Sequence, residues 1–348
     1  MAESRFIRAC QGQPVDAVPV WFMRQAGRYQ ASYRELRRRY SLLQIAVDPK
    51  LCAEVTCRPV EDLGVDAAIL FSDIMVPLAP MGISFEIREN VGPIVERPIR
   101  SREAVEGLRT VDPDTSLDFA LEAITRCVDR LGSTPLIGFA GGPFTLASYC
   151  VEGGPSRQYL ASKRLMWTEP DVFGLLMERL ADTVARYLTA QIRAGAAAVQ
   201  VFDSWIGALS EADYRTSVLP QVRRIFDAVR PWGVPMIYFG VNTEHLLAAM
   251  AETGATVIGI DWRIPPREAR ARLGVSLALQ GNLDPAAILA GWNPTKRLAR
   301  EILAGMADQP GFVFNLGHGV LKESDPAILR RLVEFVHAYP GEADGDDA

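Results

Sequence analysis

Residues Pro135 to Cys150, PLIGFAGGPFTLASYC, contain the structural unit that recurs along this chain. An apolar run over residues 135–140 comes first, a glycine pair follows, and a helical pattern begins at Pro143. An apolar run that ends in glycine and leads into a helical pattern is typical of a β-strand followed by an α-helix. The stretch therefore predicts one strand–turn–helix unit.

The same unit repeats through the chain. We predict eight strands, over residues 17–22, 67–71, 135–140, 198–202, 235–239, 256–260, 275–280 and 312–316. Predicted helices include residues 114–131, 170–194 and 325–337, and Ser324 or Asp325 is available to cap the last of them.

Eight such units favour an α/β fold, a (β/α)8 TIM barrel with insertions in its early loops. We expect a single barrel domain over residues 1–340. A doubly wound open sheet is the alternative, and it is disfavoured because no G-x-G-x-x-G follows the first predicted strand.

Composition narrows the possible partners. The 348 residues are 49% hydrophobic and 23% charged, as in ordinary globular proteins, and the formal net charge is −5. Nucleic acid and anionic membrane surfaces are therefore poor partners, and an anionic substrate would need a local basic patch. Residues 341–348 are small and acidic, and we predict a disordered tail there.

Several features indicate a cytoplasmic protein. The uncharged stretch 131–151 is long enough for a membrane helix, but its glycines and prolines predict a buried strand and a loop instead. The first residues lack a charged region followed by an apolar one, as a signal peptide would have. The five cysteines form no C-x-x-C pair and suit a reducing compartment, so we expect buried thiols.

Polar residues that follow the predicted strands are candidates for a site, because active sites of such barrels lie at the C-terminal ends of the strands. These candidates are Arg24, Gln25, Arg28, Ser72, Asp73, Asp203, Ser204, Asp261, Gln280, Asn282, Asn315 and His318.

A basic segment follows the first predicted strand. Residues 21–40 hold six arginines against one acid, Glu35. Guanidinium groups bind carboxylate or phosphate through paired hydrogen bonds, so Arg24 and Arg28 are predicted clamps for an anionic ligand. Arg38 and Arg39 fit better on a solvated helix face.

Asp73 follows an apolar strand and could cap a helix. Pro77 would break the first turn of that helix, which favours a carboxylate facing the pocket. There it could accept several N–H donors or stabilise a developing cation.

The glycine-rich turn over residues 138–142 could present backbone N–H groups to an anion, although no Gly-Lys-Ser/Thr follows it and nucleotide binding is not expected.

Tyr149 is equally consistent with a core position and a ligand contact. His318 lies in a Gly-His-Gly segment that we expect to be flexible and close to a ligand, while His245 and His337 are expected to be structural. The sequence shows no metal-ligand motif and no G-x-S-x-G elbow, so we expect neither a metal nor acyl transfer.

Five stretches carry a family resemblance. They are PVWFMRQAGR at 19–28, FSDI at 71–74, GFAGGPFTLASYCVEGG at 138–154, GNLDP at 281–285 and GHG at 317–319. The first resembles the signature P-x-W-x-M-R-Q-A-G-R of the uroporphyrinogen decarboxylase family without a mismatch. The similarity runs from about Arg5 to about Tyr339.

The resemblance implies a cofactor-free, homodimeric barrel enzyme of tetrapyrrole biosynthesis. It would convert the four acetate side chains of uroporphyrinogen III to methyl groups and give coproporphyrinogen III. Arg24 and Arg28 would bind substrate carboxylates, with Gln25, Ala26 and Gly27 in the same loop and Arg37 assisting. Asp73 would accept the pyrrole N–H groups, and Tyr149, Ser204 and His318 would complete the binding surface.

Physical chemistry agrees with this interpretation. A pyrrole acetate loses CO2 readily once a ring carbon is protonated, because the protonated ring takes up the electron pair as a cofactor would elsewhere. Asp73 suits stabilisation of the cationic ring. Arg24 is the first candidate for the proton donor, although a guanidinium with a pKa above about 12 is a weak acid and Brønsted reasoning prefers His318, Tyr149 or water.

Two other functions remain open. A cobalamin-dependent methyltransferase on the same barrel would need zinc ligands in the second half of the chain, where no cysteine occurs after Cys150. A non-catalytic tetrapyrrole or corrinoid carrier would share the basic cleft, and Asp73 and the intact first signature disfavour it.

Overall fold

The computed structural model describes residues 4–339. Its strands, numbered along the chain, are β1 (Ala68–Ile69), β2 (Phe85–Arg88), β3 (Gly92–Val95), β4 (Leu136–Gly141), β5 (Ala198–Phe202), β6 (Met236–Phe239), β7 (Val257–Gly259), β8 (Ala278–Leu283) and β9 (Phe312–Leu316). Seven of them form one parallel sheet in the order β1-β4-β5-β6-β7-β8-β9, and β2 and β3 form an antiparallel hairpin.

The helices connect the strands along the chain. They are α1 (Arg5–Cys10), α2 (Ala31–Arg37), α3 (Leu42–Val47), α4 (Pro49–Leu63), α5 (Arg102–Glu106), α6 (Pro113–Ser116), α7 (Asp118–Leu131), α8 (Pro143–Glu152), α9 (Leu160–Thr168), α10 (Pro170–Arg193), α11 (Glu211–Asp213), α12 (Leu219–Val229), α13 (Leu247–Ala251), α14 (Pro266–Leu273), α15 (Pro285–Leu289), α16 (Trp292–Met306) and α17 (Pro326–Ala338). Short 3-10 turns cover Val76–Leu78, Ile206–Ala208, Arg230–Trp232 and Glu244–Leu246, and Tyr214–Val218 is a π-helical turn.

Most predicted elements are present. The hairpin of β2 and β3 is the predicted insertion in an early loop. Helix α10 matches its prediction to within one residue, and Asp325 rather than Ser324 caps α17, accepting from the Ala327 N–H at 2.8 Å. The predicted helix 114–131 is divided at Leu117, whose φ of −133° leaves the helical region.

The first predicted strand differs most from its prediction. Residues 17–22 form only an isolated parallel bridge between Val20 and Phe314 of β9. The segment nevertheless bonds to both edges of the sheet. The Phe314 N–H donates to Pro19 O at 2.8 Å, and the Asp66 N–H, two residues before β1, donates to Val20 O at 2.8 Å. Residues 19–21 therefore lie between β9 and β1.

The predicted strand 275–280 is also shifted, since β8 begins at Ala278 and ends at Leu283. Val275 is exposed, and the Arg270 guanidinium bonds the carbonyls of Gly274 and Leu277. Val275, the first residue of the predicted strand, thus belongs to the loop before β8.

Buried amides cross the interior of the sheet. The Trp21 indole N–H donates to Gln280 Oε1 at 2.9 Å, and the Gln280 side-chain N–H donates to Gln200 Oε1 at 3.1 Å. Gln280 lies on β8 and Gln200 on β5, so side chains of non-neighbouring strands meet. The sheet is therefore curled around a packed interior, as in TIM-barrel-like folds.

Most of the buried apolar residues form one large cluster, and Tyr33, Ile45 and Val55 form a second, smaller one. All six residues of β4 are buried, as expected for a parallel strand covered on both faces. The five cysteines are free and buried, as predicted. Within residues 4–339 no helix is long and apolar enough to cross a membrane. The predicted tail, 341–348, lies outside the described residues.

Candidate active site

The predicted site residues follow strands whose carboxyl ends meet at one edge of the sheet. Asp73 follows β1, Tyr149 lies on α8 after β4, Ser204 follows β5 and His318 follows β9. Arg24 follows the segment that bonds to β9 and β1. The topology therefore brings residues from five parts of the chain to one edge, where TIM-barrel-like enzymes carry their active sites.

Burial has the largest effect on the pKa of Asp73, Tyr149 and His318, and the charge of Arg24 reaches all three groups and acts to lower the pKa of each. We call these four residues the inner group. Arg24 itself is exposed and has a φ of +57°, which is uncommon for a residue with a side chain. Strain of this kind persists only where the surrounding structure enforces it, and it is frequent at functional sites.

Asp73 is partly buried and begins a tight turn. Its Oδ1 accepts the Met75 N–H at 2.9 Å, and its carbonyl accepts the Val76 N–H at 3.1 Å. No α-helix starts here, as Pro77 predicted, and only the 3-10 turn Val76–Leu78 follows. Burial raises the pKa of Asp73, while the Met75 N–H and the Arg24 charge oppose that rise. The carboxyl group thus both holds the turn and remains an acceptor near Arg24.

His318 and Tyr149 are neutral groups at neutral pH. Burial, aided by the charges of Arg24 and Arg263, lowers the pKa of His318 to about 4 against the opposing effect of Asp261. Burial and the Asp73 charge raise the pKa of Tyr149 well above its ordinary value. Both side chains can therefore donate a hydrogen bond, but neither is a strong acid.

Hydrogen bonds of a buried side chain hold the loop that carries Arg24. Gln25 is fully buried, and its side chain accepts the Phe22 N–H at 3.0 Å and donates to Ala67 O at 3.0 Å. The Tyr29 hydroxyl donates to Gln25 O at 2.6 Å. The Gln25 side chain therefore stabilises the loop, and only the partly exposed Ala26 and Gly27 present surface beside the arginines.

A second basic cluster lies further along this segment. The charges of Arg37 and Arg28 both reach the Tyr33 hydroxyl, whose pKa is nevertheless raised by burial. We call Arg28 and Arg37 the outer group. Arg28 is exposed, and its Nη1 donates to Asn90 Oδ1 at 3.1 Å, in the turn between β2 and β3. Two guanidinium groups thus act on the same side chain, Tyr33.

The other arginines of the segment differ in role. Arg34 donates to Arg28 O at 2.9 Å and to Tyr29 O at 2.7 Å, so it holds the loop that carries the clamps. Arg38 and Arg39 are exposed, as predicted, and Arg38 pairs with Glu35.

A carboxylate of the protein, that of Asp203, lies at the start of α8, directly after the glycine-rich turn. Asp203 Oδ1 accepts the Thr145 N–H at 2.8 Å and the Thr145 hydroxyl at 2.7 Å, and its Oδ2 accepts the Tyr238 hydroxyl at 3.2 Å. The Gly142 N–H donates to Phe202 O at 2.7 Å. The Gly142 N–H of the turn and the Thr145 N–H at the start of α8 therefore both bond within the protein, the second to a carboxylate.

An aromatic cluster near the site was not predicted. The Trp205 ring packs at a tilt against Tyr149, with centroids 4.1 Å apart, and against Tyr159, with centroids 5.0 Å apart. The backbone N–H of Trp205 donates to Thr145 Oγ1 at 3.2 Å, which links the cluster to Asp203. Trp205 directly follows Ser204, a predicted site residue that is partly exposed, so its position after β5 was the available signal.

Other strand-end candidates bond within the protein. Asp261 is buried, and its side chain accepts the Asn242 N–H at 2.6 Å, the Arg263 N–H at 3.1 Å and the Arg263 guanidinium. Asn282 donates to Asp261 O at 2.8 Å. These residues therefore support the loops around the site.

The remaining histidines lie elsewhere. His245 Nε2 is 2.8 Å from Leu209 O, and His337 Nε2 is 2.7 Å from Asp66 Oδ2 at the opposite end of the sheet. Among residues 4–339 no three His, Cys, Asp or Glu side chains are grouped so that they could hold a metal ion.

Comparison with known proteins points to one family. Residues 1–339 match the family model described as uroporphyrinogen decarboxylase (URO-D). Uroporphyrinogen decarboxylase from Geobacillus kaustophilus is 50% identical over 334 residues, 96% of each chain. The enzyme of the same name from Streptomyces coelicolor is 51% identical over 96% of this chain and 94% of its own.

Among solved structures, a methyltransferase from Methanosarcina mazei superposes with a TM-score of 0.81 at 20% identity, over 96% of this chain and 98% of that one. At this identity the likeness shows a shared fold alone. The match to the family model over residues 1–339, together with the two relatives at about half identity, shows that the chain belongs to the uroporphyrinogen decarboxylase family.

Proposed function

We propose that this chain decarboxylates the four acetate side chains of uroporphyrinogen III and gives coproporphyrinogen III and four CO2, without a cofactor. Family membership supports the reaction, and one observation carries its assignment to this site. The Arg24 charge reaches Asp73, Tyr149 and His318 together at the carboxyl edge of the sheet. A cation, a carboxylate and two neutral donors are the groups that an anionic, N–H-rich substrate requires.

The reaction needs one proton for each carboxylate lost. A proton adds to a pyrrole ring carbon beside the acetate-bearing carbon, and the ring becomes cationic. The bond between the acetate methylene and its carboxyl group then breaks, and its electron pair neutralises the ring as CO2 leaves. A second proton converts the exocyclic methylene to methyl, and the ring carbon returns its added proton.

Asp73 is suited to hold the cationic ring. Its Oδ1 is fixed by the Met75 N–H, and within residues 4–339 no hydrogen bond to its Oδ2 is formed. That oxygen is available to accept pyrrole N–H groups. A carboxylate already held in place stabilises developing positive charge without reorganising during the reaction.

Arg24 is the proton donor we propose. His318 holds little proton at neutral pH because its pKa is about 4, and burial makes Tyr149 a weaker acid than an ordinary tyrosine. These two side chains, with Ser204, are assigned to hydrogen bonding of the substrate's carboxylate arms. Arg28 and Arg37, the outer group, are assigned to carboxylates distant from the reacting ring, because the charges of both reach Tyr33, which is not among the inner group.

The wider organisation is proposed on the same basis. Residues 19–21 bond to β9 and to residue 66, which supports a closed eight-unit barrel acting as a single domain over residues 1–340. The family resemblance supports a cytoplasmic homodimer, and exposed Leu160 and Trp167 supply apolar surface for contact between subunits. Light scattering of the purified protein would report the mass of the assembly.

The direct test is a product assay. EDTA-treated protein is incubated anaerobically with uroporphyrinogen III, and the products are oxidised and separated by carboxylate number. Stepwise appearance of species between eight and four carboxylates is expected. Full recovery of the starting tetrapyrrole from folded protein would instead favour a carrier, and stoichiometric zinc in the untreated protein would favour a methyltransferase.

A further inference from the structure

Gly319 lies against the side chain of Arg24. A Cβ atom built on Gly319 would lie 3.1 Å from Arg24 Cβ, 2.7 Å from Cγ and closer still to Cδ. Separations below 3.0 Å are essentially absent between real Cβ atoms and their neighbours. The aliphatic part of Arg24 therefore occupies the space that any side chain at position 319 would need.

The need for glycine at position 319 arises from space and not from backbone conformation. Gly319 is absent from the glycines with positive φ, so an alanine could adopt the same backbone. It is buried, and the three atoms nearest to a Cβ built there all belong to the Arg24 side chain. Gly317 differs, because a Cβ there would meet the backbone N of Trp262 at 2.5 Å.

Arg24 is held on its backbone side as well. The Met23 N–H donates to Asn315 Oδ1 at 3.1 Å, and Met23 O accepts the Val320 N–H at 2.8 Å. The loop after β9 thus fixes the chain next to Arg24 through Val320 and borders the Arg24 side chain through Gly319. The loop after β9 is therefore fixed at this point, whereas the sequence predicts a flexible Gly-His-Gly segment.

We propose that Gly319 is a positioning residue for Arg24. Because Gly319 has no side chain, it leaves the space that the Arg24 side chain needs to take its place in the inner group. Its kinetic consequence rests on the proposed function. Its structural consequence does not, because the position of the Arg24 charge can be measured without substrate.

The first measurement is the titration of His318 by NMR in Gly319→Ala, Arg24→Ala and the double variant. The imidazole faces the charges of Arg24, Asp261 and Arg263, and its signals are identified by their loss in His318→Gln. In the wild type its pKa is about 4. Displacing the guanidinium in Gly319→Ala is expected to raise that pKa, and Arg24→Ala is expected to raise it as well. The double variant should match Arg24→Ala.

The second measurement is a double-mutant cycle in the decarboxylation assay. Gly319→Ala is expected to lower kcat/KM about 10-fold or more, with a loss in kcat, because a small displacement of a reacting group has a large effect. In the Arg24→Ala background the same substitution should change kcat/KM less than about 2-fold, because Gly319 acts through Arg24. Gly174→Ala on α10 is the matched control, since a Cβ there would meet nothing within 4 Å.

Several outcomes decide the proposal. Equal losses from Gly319→Ala with and without Arg24 would overturn it, as would a His318 pKa that does not rise in Gly319→Ala. If Gly319→Ala fails to fold, the double variant decides. A folded double variant would support steric opposition to Arg24, and an unfolded one would refute it. A wild type without decarboxylase activity would refute the proposed function alone, because the NMR titration would still test Gly319.

Discussion

Asp203 and Thr145 are joined by two hydrogen bonds to one carboxylate oxygen, from the Thr145 N–H at 2.8 Å and from its hydroxyl at 2.7 Å. This pair connects the end of β5 to the start of α8. Because Thr145 also accepts the backbone N–H of Trp205, the pair holds the chain that carries the ring packed against Tyr149. A fully buried carboxylate therefore supports one wall of the site.

The ionisation of Asp203 is expected to make stability fall as pH rises. Burial raises the pKa of Asp203 to about 6, above its ordinary value of 3.8. Between these values the unfolded chain ionises first, so the folded state loses relative stability from about pH 4 to about pH 6. The loss is at most about 3 kcal/mol.

Urea unfolding of the wild type and Asp203→Asn between pH 4 and pH 7 measures this effect. The asparagine can still accept from Thr145 but cannot ionise, so the stability difference between the two proteins should change with pH. Tyr238→Phe is the control, because it removes one donor and keeps the carboxyl group. The same pH dependence in wild type and Asp203→Asn would refute the prediction.

Much of the fold was predictable because parallel strands have a clear pattern. A continuous apolar run such as 236–239 is typical of a strand buried on both faces, and this run ends where Gly240 begins. The pairing of the segment 17–22 was harder to predict. Its pairing depends on its position between β9 and β1, which local pattern does not contain.

The candidate site was predictable only in part. Position after a strand brought Arg24, Asp73 and His318 together in the prediction. The same rule could not distinguish Asp203 from Asp73, although one bonds to α8 and the other lies beside Arg24. Tyr159 lies in a loop and its ring packs at a tilt against Trp205, and no spacing in the sequence predicts that contact.

Asp73→Asn is expected to lower kcat by about 100-fold or more, because it removes the charge that stabilises the cationic ring. Its free energy of unfolding should change little, since the asparagine oxygen can still accept the Met75 N–H. Steady-state kinetics and urea unfolding measure the two effects. Asp284→Asn is the control at the same edge, where the carboxylate caps α15 at 2.9 Å from the Ala286 N–H. A kcat near that of the wild type in Asp73→Asn would exclude its role.

Activity is expected to fall in acid as Asp73 takes up a proton. The pKa of Asp73 is raised by burial, so the loss of kcat/KM should begin above the pH at which an ordinary aspartate titrates, about 3.9. His318→Gln should keep this acid limb and lose less than about 10-fold in kcat/KM, because the neutral imidazole serves as a hydrogen-bond donor. A pH–rate profile that rises toward low pH in the wild type, and loses that rise in His318→Gln, would instead identify the imidazolium as the proton donor.

Arg28→Ala is expected to raise KM about 10-fold and leave kcat nearly unchanged, because Arg28 binds a carboxylate that does not react. The acceptor that Arg28 now uses, Asn90 Oδ1 at 3.1 Å, shows where such an oxygen would bind. Asn90→Asp should therefore raise KM by pairing with Arg28, and added salt should weaken that effect.

Asn90→Ala provides the matched comparison, because it frees Arg28 without adding a charge and should leave KM unchanged or lower it. In the Arg28→Ala background, Asn90→Asp should have no further effect on KM, since its competitor for the guanidinium is gone. An equal rise in KM with and without Arg28 would mean that the new carboxylate repels the substrate directly. Steady-state kinetics of the four variants at two salt concentrations separates these cases.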